Sequence, residues 1–292
     1  MPDQVRHDKK FYLLYYYCMP INPKVNLAEN ILDLQSIDKK PIREGFGLGL
    51  LEAADANPNV VGLCADLTES TKMEAFAKKY PERFVEIGVA EQNLAAVASG
   101  MAATGKIPFI SSYAMFSPGR NWEQIRTTIC YNERHVVIAG SHAGVSVGPD
   151  GATHQAIEDI ALMRPIANMT VIAPADMHEA RKATVAAVKL PGPVYIRLAR
   201  EKTPVFTTPE TLFEIGKAYE VWRSEGSPST GSGRLRPQVA VIACGSLVHN
   251  AILAAAELEK EGVGVVVVNN HTIKPMDEET IITAAKEAGA VV

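Results

Sequence analysis

From Pro41 to the end of the chain, apolar residues switch between two spacings, as they do where helices alternate with strands. "REGFGLGLLEAADA" has helical periodicity and precedes a strand, "VVGLCAD" (60–66), that ends in a polar turn. "FVEIG" reads as a second strand leading into a helix over about 90–104, where Leu94, Val97, Ala98 and Met101 recur at helical spacing and Gly105 closes the run. The short apolar runs "IPFIS", "HVVIAG", "MTVIAP" and "PVYIRL" predict further strands, with helices over about 122–130, 155–163 and 177–188. Such alternation predicts a parallel sheet covered on both faces, an α/β domain over 38–205.

After a stretch read as a linker, 206–238, whose Gly, Ser and Pro content peaks over 224–238, the alternation resumes. "VAVIACGS", a helix over about 248–261, "VGVVVVN", a helix over about 277–288 and "GAVV" form a βαβαβ unit. The prediction is therefore two parallel-sheet α/β domains, the second (239–292) smaller and, since such sheets normally continue, incomplete. Residues 1–37 read as an extension, packed, disordered or added by an upstream translation start. Its aromatic run "FYLLYYYC" (11–18) is far shorter than the roughly 20 residues that span a bilayer, and a membrane anchor ranks last.

Bulk properties narrow the partners. With 292 residues, 47% of them hydrophobic, the chain can bury two cores, and a formal charge of -4 with a pI near 6.0 gives no basic surface for nucleic acid. Cys18, Cys64, Cys130 and Cys244 form no CxxC pair, which suits reduced thiols, a cytoplasmic location and no structural metal.

Three motifs carry little weight. "GMAATGKI" lacks the final hydroxyl of a phosphate loop and ends a helix instead of starting one. "GFGLGL" follows no strand, and "GVSVG" is followed by "PDG" instead of the helix of a nucleophile elbow. More is carried by "GSHAGVSVGPDGATHQ" (140–155), which packs four glycines, two histidines and an aspartate into a strand-to-helix connection, where α/β sheets commonly line ligand crevices. His142, Asp150 and His154 could supply neutral hydrogen bonds, a proton acceptor and a proton donor there, or merely cap the turn. Tyr113 and Phe116, three apart, would present two rings to one side. Glu91 is a carboxylate at the start of a helix, stabilised by its dipole or set there for chemistry.

Together, "CADLTEST", "GVAEQN", "FISSYAMF", "GSHAGVSVGPDGATHQAIED" and "VYIRLAR" resemble the transketolase family of thiamine diphosphate enzymes over about 43–200, and "HTIKP" resembles that family's C-terminal domain. The resemblance implies that Glu91 hydrogen-bonds the pyrimidine ring of the cofactor and so activates its thiazolium carbon. An apolar neighbourhood of Val89, Ala90, Leu94 and Ala95 would favour the protonated acid, against the pull of the helix N-terminus. It further implies Tyr113 and Phe116 around the aminopyrimidine, Asp66 and Thr68 near the cofactor, and Arg43, Ser70, His142 and Arg200 as a sugar-phosphate clamp. Asp150 and His154 would face the sugar's hydroxyls and carbonyl, with His142 and His154 joining Glu91 in catalysis.

The family's magnesium motif, Gly-Asp-Gly followed by Asn, is absent from this sequence. The resemblance then implies the C-terminal subunit of a split transketolase, transferring two-carbon ketol units between phosphorylated sugars of the pentose phosphate pathway type. An N-terminal subunit would bring the diphosphate-binding domain and Mg²⁺ ligands, in an α2β2 heterotetramer. The alternatives are a subunit resembling deoxyxylulose-phosphate synthase or the β subunit of a 2-oxo-acid dehydrogenase, and a non-catalytic interaction subunit.

Overall fold

The computed structural model describes residues 20–224 and 237–292; the aromatic run 11–18 and most of the Gly- and Ser-rich stretch lie outside them. The first domain is built on a seven-stranded sheet. In chain order its elements are β1 (Lys39–Pro41), α1 (Ile42–Ala56), β2 (Val60–Cys64), α2 (Glu74–Lys79), β3 (Phe84–Glu86), α3 (Glu91–Ala103), β4 (Ile107–Tyr113), β5 (Val137–Ser141), α4 (Asp159–Met163), β6 (Thr170–Ile172), α5 (Met177–Ala187), β7 (Val194–Arg197) and β8 (Lys202–Pro204). The second contains β9 (Tyr219–Arg223), β10 (Val239–Ala243), α6 (Leu247–Lys260), β11 (Val265–Asn269), β12 (Thr272–Lys274), α7 (Glu278–Glu287) and β13 (Ala290–Val291).

The large sheet runs β12-β6-β7-β5-β4-β2-β3, and all its pairs are parallel except β12 with β6. Its strands are apolar on both faces because both are covered. Phe109, Val137, Val194 and Ile196 point to the side of α1 and α5, while Ile110, Ile138 and Tyr195 point to the side of α3. The expectation of a wholly parallel sheet is corrected at one edge: β12, the "HTIKP" segment, comes from the second domain. The Ala173 N–H donates to the His271 carbonyl (2.8 Å) and the Gly245 N–H to the Ala173 carbonyl (3.0 Å), so the domains share a sheet and its end.

The glycines of "GFGLGL" lie inside α1, Gly45 and Gly49 facing α5 and Gly47 facing the Lys72 backbone. A Cβ on Gly45 would stand 2.0 Å from the Met177 carbonyl oxygen and one on Gly49 2.7 Å from that of Arg181. They permit close packing of α1.

Several boundaries differ from expectation. Part of the stretch read as a linker is ordered: Phe206 is fully buried, and β9 pairs antiparallel with β11 in a second sheet of order β13-β10-β11-β9. Of the alternatives for the N-terminal extension, residues 20–37 take the packed one, with Ile31 in the core of this second domain and its carbonyl 2.7 Å from His249 Nε2. The helix expected over 155–163 starts only at Asp159, because Ala156 is drawn into a bridge with Ala143 that closes the glycine loop. That over 122–130 is one α-turn followed by a π-helical turn, Ile125–Cys130. Among the described residues no helix is long and apolar enough to cross a membrane.

Candidate functional site

Parallel strands present their following loops along one edge, and the strand order fixes which residues meet there. Along that edge stand Arg200 (after β7), His142 (after β5), Tyr113 (end of β4), Asp66 (after β2) and Glu91 (after β3). Residues up to 134 positions apart in the chain, Asp66 to Arg200, thus come to stand along one edge of the sheet.

Glu91 is the first residue of α3 and is 1% exposed. Its Oε1 accepts from Ser112 Oγ (3.2 Å), its Oε2 faces Arg120 Nη1 in an ion pair, and its backbone carbonyl accepts from Asn121 Nδ2 (2.9 Å). The expected apolar neighbourhood is only partly there. Leu94 and Ala95 are buried beside it, but Val89 is 71% exposed and the carboxyl has a cationic partner.

Tyr113 and Phe116 lie nearly parallel, 13° apart with ring centroids separated by 6.2 Å. The His142 ring stacks on Tyr113 at 3.8 Å and the His154 ring meets Phe116 edge-on at 5.2 Å.

His142 is held in the left-handed region (φ 57°) by the turn after β5 and is 2% exposed. Arg43 Nη1 lies 2.7 Å from its Nε2. A guanidinium can only donate, so Nε2 is the acceptor, and the ring proton sits on Nδ1, donating to Ser141 Oγ at 2.9 Å. Burial, followed by the nearby Arg43, Arg200 and His154, pushes the imidazole pKa down to about 3. At neutral pH His142 is therefore a neutral hydrogen-bonding ring and not a titrating one. The Arg43 pKa is also lowered, by burial and then by Arg200, and its Nε is buried without a partner among the described residues. Two guanidinium groups thus lie beside an uncharged imidazole, Arg200 paired with the neighbouring Glu201 at 2.5 Å, and together they favour an anion.

Arg200 lies over Gly148, where a Cβ would stand 2.6 Å from Nη1, and that glycine has φ 87°. Asp150 is exposed and His154 half-buried in the same loop, the latter 2.8 Å from Thr153 Oγ1 through Nδ1. Ser70 is half-buried in the turn after β2. In that turn Asp66, at φ 57°, is exposed. Ser146 of "GVSVG" is exposed in the glycine loop, and "GMAATGKI" ends α3.

Two family models match this chain: "Transketolase, pyrimidine binding domain" over residues 38–205 and "Transketolase, C-terminal domain" over 233–292. The chain belongs to the transketolase family. Among its relatives, a putative transketolase C-terminal section of Methanocaldococcus jannaschii is 42% identical over 83% of this chain and 73% of that protein. A 6-deoxy-6-sulfo-D-fructose transketolase subunit of Clostridium sp. is 37% identical over 83% and 72%. Among solved structures, a split gene transketolase described as an inactive beta4 tetramer is 42% identical, with a TM-score of 0.76 over 87% of this chain and 79% of that one.

Transketolases depend on thiamine diphosphate, and the chemistry of this crevice suits the pyrimidine end of that cofactor: a buried carboxyl group beside two nearly parallel rings. Two residues missed in the sequence hold the crevice in shape. Glu86, the last residue of β3, accepts from the Asp66 N–H (2.7 Å), the Gly88 N–H (2.9 Å) and Thr68 Oγ1 (3.0 Å), tying the loops after β2 and β3 together. Arg120 reaches Glu91 from 29 residues away. Strand alternation could have flagged Glu86 as a polar strand end; nothing local flags Arg120.

Proposed function

We infer that this chain is the C-terminal subunit of a split transketolase, acting in two-carbon ketol transfer between phosphorylated sugars. The observation that carries the reading is the placement of Arg43 and Arg200 beside neutral His142, next to the Glu91, Tyr113 and Phe116 crevice. Bound thiamine diphosphate supplies a carbon nucleophile for ketol transfer. This chain's residues do the rest of their share: Glu91 hydrogen-bonds the pyrimidine end, the Tyr113 and Phe116 rings seat that end, and Arg43, Arg200 and Ser70 grip the sugar phosphate. His142, neutral, orients Arg43. Asp150 and His154, at the mouth, face the sugar's hydroxyls and carbonyl, with His154 as the proton-moving group.

The diphosphate and Mg²⁺ ligands are assigned to an N-terminal subunit, since the sequence holds no Gly-Asp-Gly. Val89 (71% exposed), Val145 (67%) and Ile157 (65%), on the loops that bear Glu91, His142 and His154, are suited to being covered by that subunit in an α2β2 assembly. The name of the structural relative, an inactive tetramer of one subunit type, supports the need for a second chain. A cytoplasmic location agrees with the buried thiols of Cys64 and Cys130.

The test uses the two-chain mixture with thiamine diphosphate and Mg²⁺, assayed for transfer from xylulose 5-phosphate to ribose 5-phosphate. Glu91→Ala is expected to abolish transfer, and Arg43→Met to raise the KM for both sugars about 10- to 100-fold, as loss of a charge-assisted contact does. Transfer undiminished in either variant would contradict the roles given to them.

A further inference from the structure

The Glu91 carboxyl group and the Phe116 ring are the features that the functional reading gives to an aminopyrimidine, and Arg120 touches both. Its Nη1 pairs with Glu91 Oε2, and its guanidinium carbon lies over the Phe116 ring, 4.7 Å from the centroid. Ser112 takes the other carboxyl oxygen. The two ends of Arg120 are held very differently. Its N–H donates to the Phe116 carbonyl (2.9 Å), and the following Asn121, fully buried, is bound to the Glu91 carbonyl and to Ser117 Oγ (3.2 Å). The main chain is fixed, while the side chain is 45% exposed and has open solvent to swing into.

A carboxyl oxygen that faces a guanidinium is engaged with a donor, and a ring face under a guanidinium has no room for a second planar group. We propose that Arg120 is a competing occupant of the pyrimidine seat: its guanidinium swings off Glu91 and Phe116 when an aminopyrimidine engages them. This rests on the functional reading above. Arg120 is then a positioning residue that sets cofactor affinity through Glu91 and Phe116. A seat held by Arg120 nine-tenths of the time would weaken the apparent affinity about tenfold.

The test measures the dissociation constant of thiamine diphosphate, with Mg²⁺ present, for the two-chain assembly carrying wild-type, Arg120→Met or Arg120→Lys subunits. Near-ultraviolet circular dichroism of the bound aminopyrimidine is recorded in parallel. Arg120→Met is expected to bind about tenfold more tightly than wild type, with Arg120→Lys between the two, and to keep a dichroic signal that Glu91→Ala loses. Binding by Arg120→Met that is equal or weaker, with assembly and unfolding temperature like wild type, would overturn the proposal and leave the functional reading standing. If Arg120→Met does not assemble, Arg120→Gln takes its place under the same criteria. No thiamine diphosphate binding by the wild-type assembly would overturn the functional reading, and the proposal with it.

Discussion

His142 illustrates how burial decides a role that residue type leaves open. A histidine titrates near neutrality in water, but here burial and flanking arginines press its pKa to about 3. The ring is expected to show no titration step between about pH 5 and 8 when its proton resonances are followed by NMR; a midpoint in that range would contradict the clamp geometry. Gly148 is the second case. Its φ of 87° and the Arg200 guanidinium leave no place for a Cβ, so Gly148→Ala should displace Arg200 and raise the KM for phosphorylated sugars. The backbone strain should cost on the order of 1 kcal/mol of stability, readable as a lower urea midpoint. The strand-end positions of Glu91, Tyr113, Phe116, His142 and Arg200 could be read in the sequence, and the family resemblance, not the local motif alone, suggests their roles. Arg120 could not be read so, because its meaning depends on a contact with Glu91 that no local pattern encodes.

At the scale of elements, the strands of the large sheet could be read from the sequence because each is a short apolar run bounded by turn residues. What could not be read is how the loops and the second domain use their backbone. β12 pairs with β6 across 100 residues of chain, and Ala156 leaves the expected helix to bridge Ala143. The α1 and α5 contact gives a direct prediction. Gly45→Ala would place a methyl against the Met177 carbonyl, and since backbone cannot move aside cheaply, it should destabilise the protein by roughly 1–3 kcal/mol in urea unfolding. Gly105→Ala, at φ 87° in open space, tests the contrast: its cost comes from backbone strain alone and should be smaller.

Across the whole molecule, the two domains are joined by a buried polar network. Asp176 caps α5 by accepting from the His178 and Glu179 N–H groups, and also accepts from the Phe206 and Thr207 N–H groups. Glu179, fully buried, accepts from the Ala175 N–H (2.8 Å), from Asn269 Nδ2 of β11 (2.7 Å) and from the Tyr219 hydroxyl of β9. Burial first, and then Asp176, raises the Glu179 pKa from 4.5 to about 7. The folded state therefore keeps a proton that the unfolded chain gives up above about pH 4.5. Its contribution to stability is full below that pH, declines as pH rises to about 7, and is lost above it, a change of at most about 3 kcal/mol. Glu179→Gln should flatten this slope in denaturation curves taken across that range; an unchanged slope would place the proton elsewhere.

The central claim, that this chain is one half of a transketolase site, is tested most directly by measuring ketol transfer with thiamine diphosphate and Mg²⁺ for this chain alone and then with increasing amounts of a Gly-Asp-Gly-bearing subunit. The expected result is no turnover alone and activity that rises to a plateau at one partner per chain. Full activity from this chain by itself, or a stable two-chain complex that transfers nothing, would contradict it.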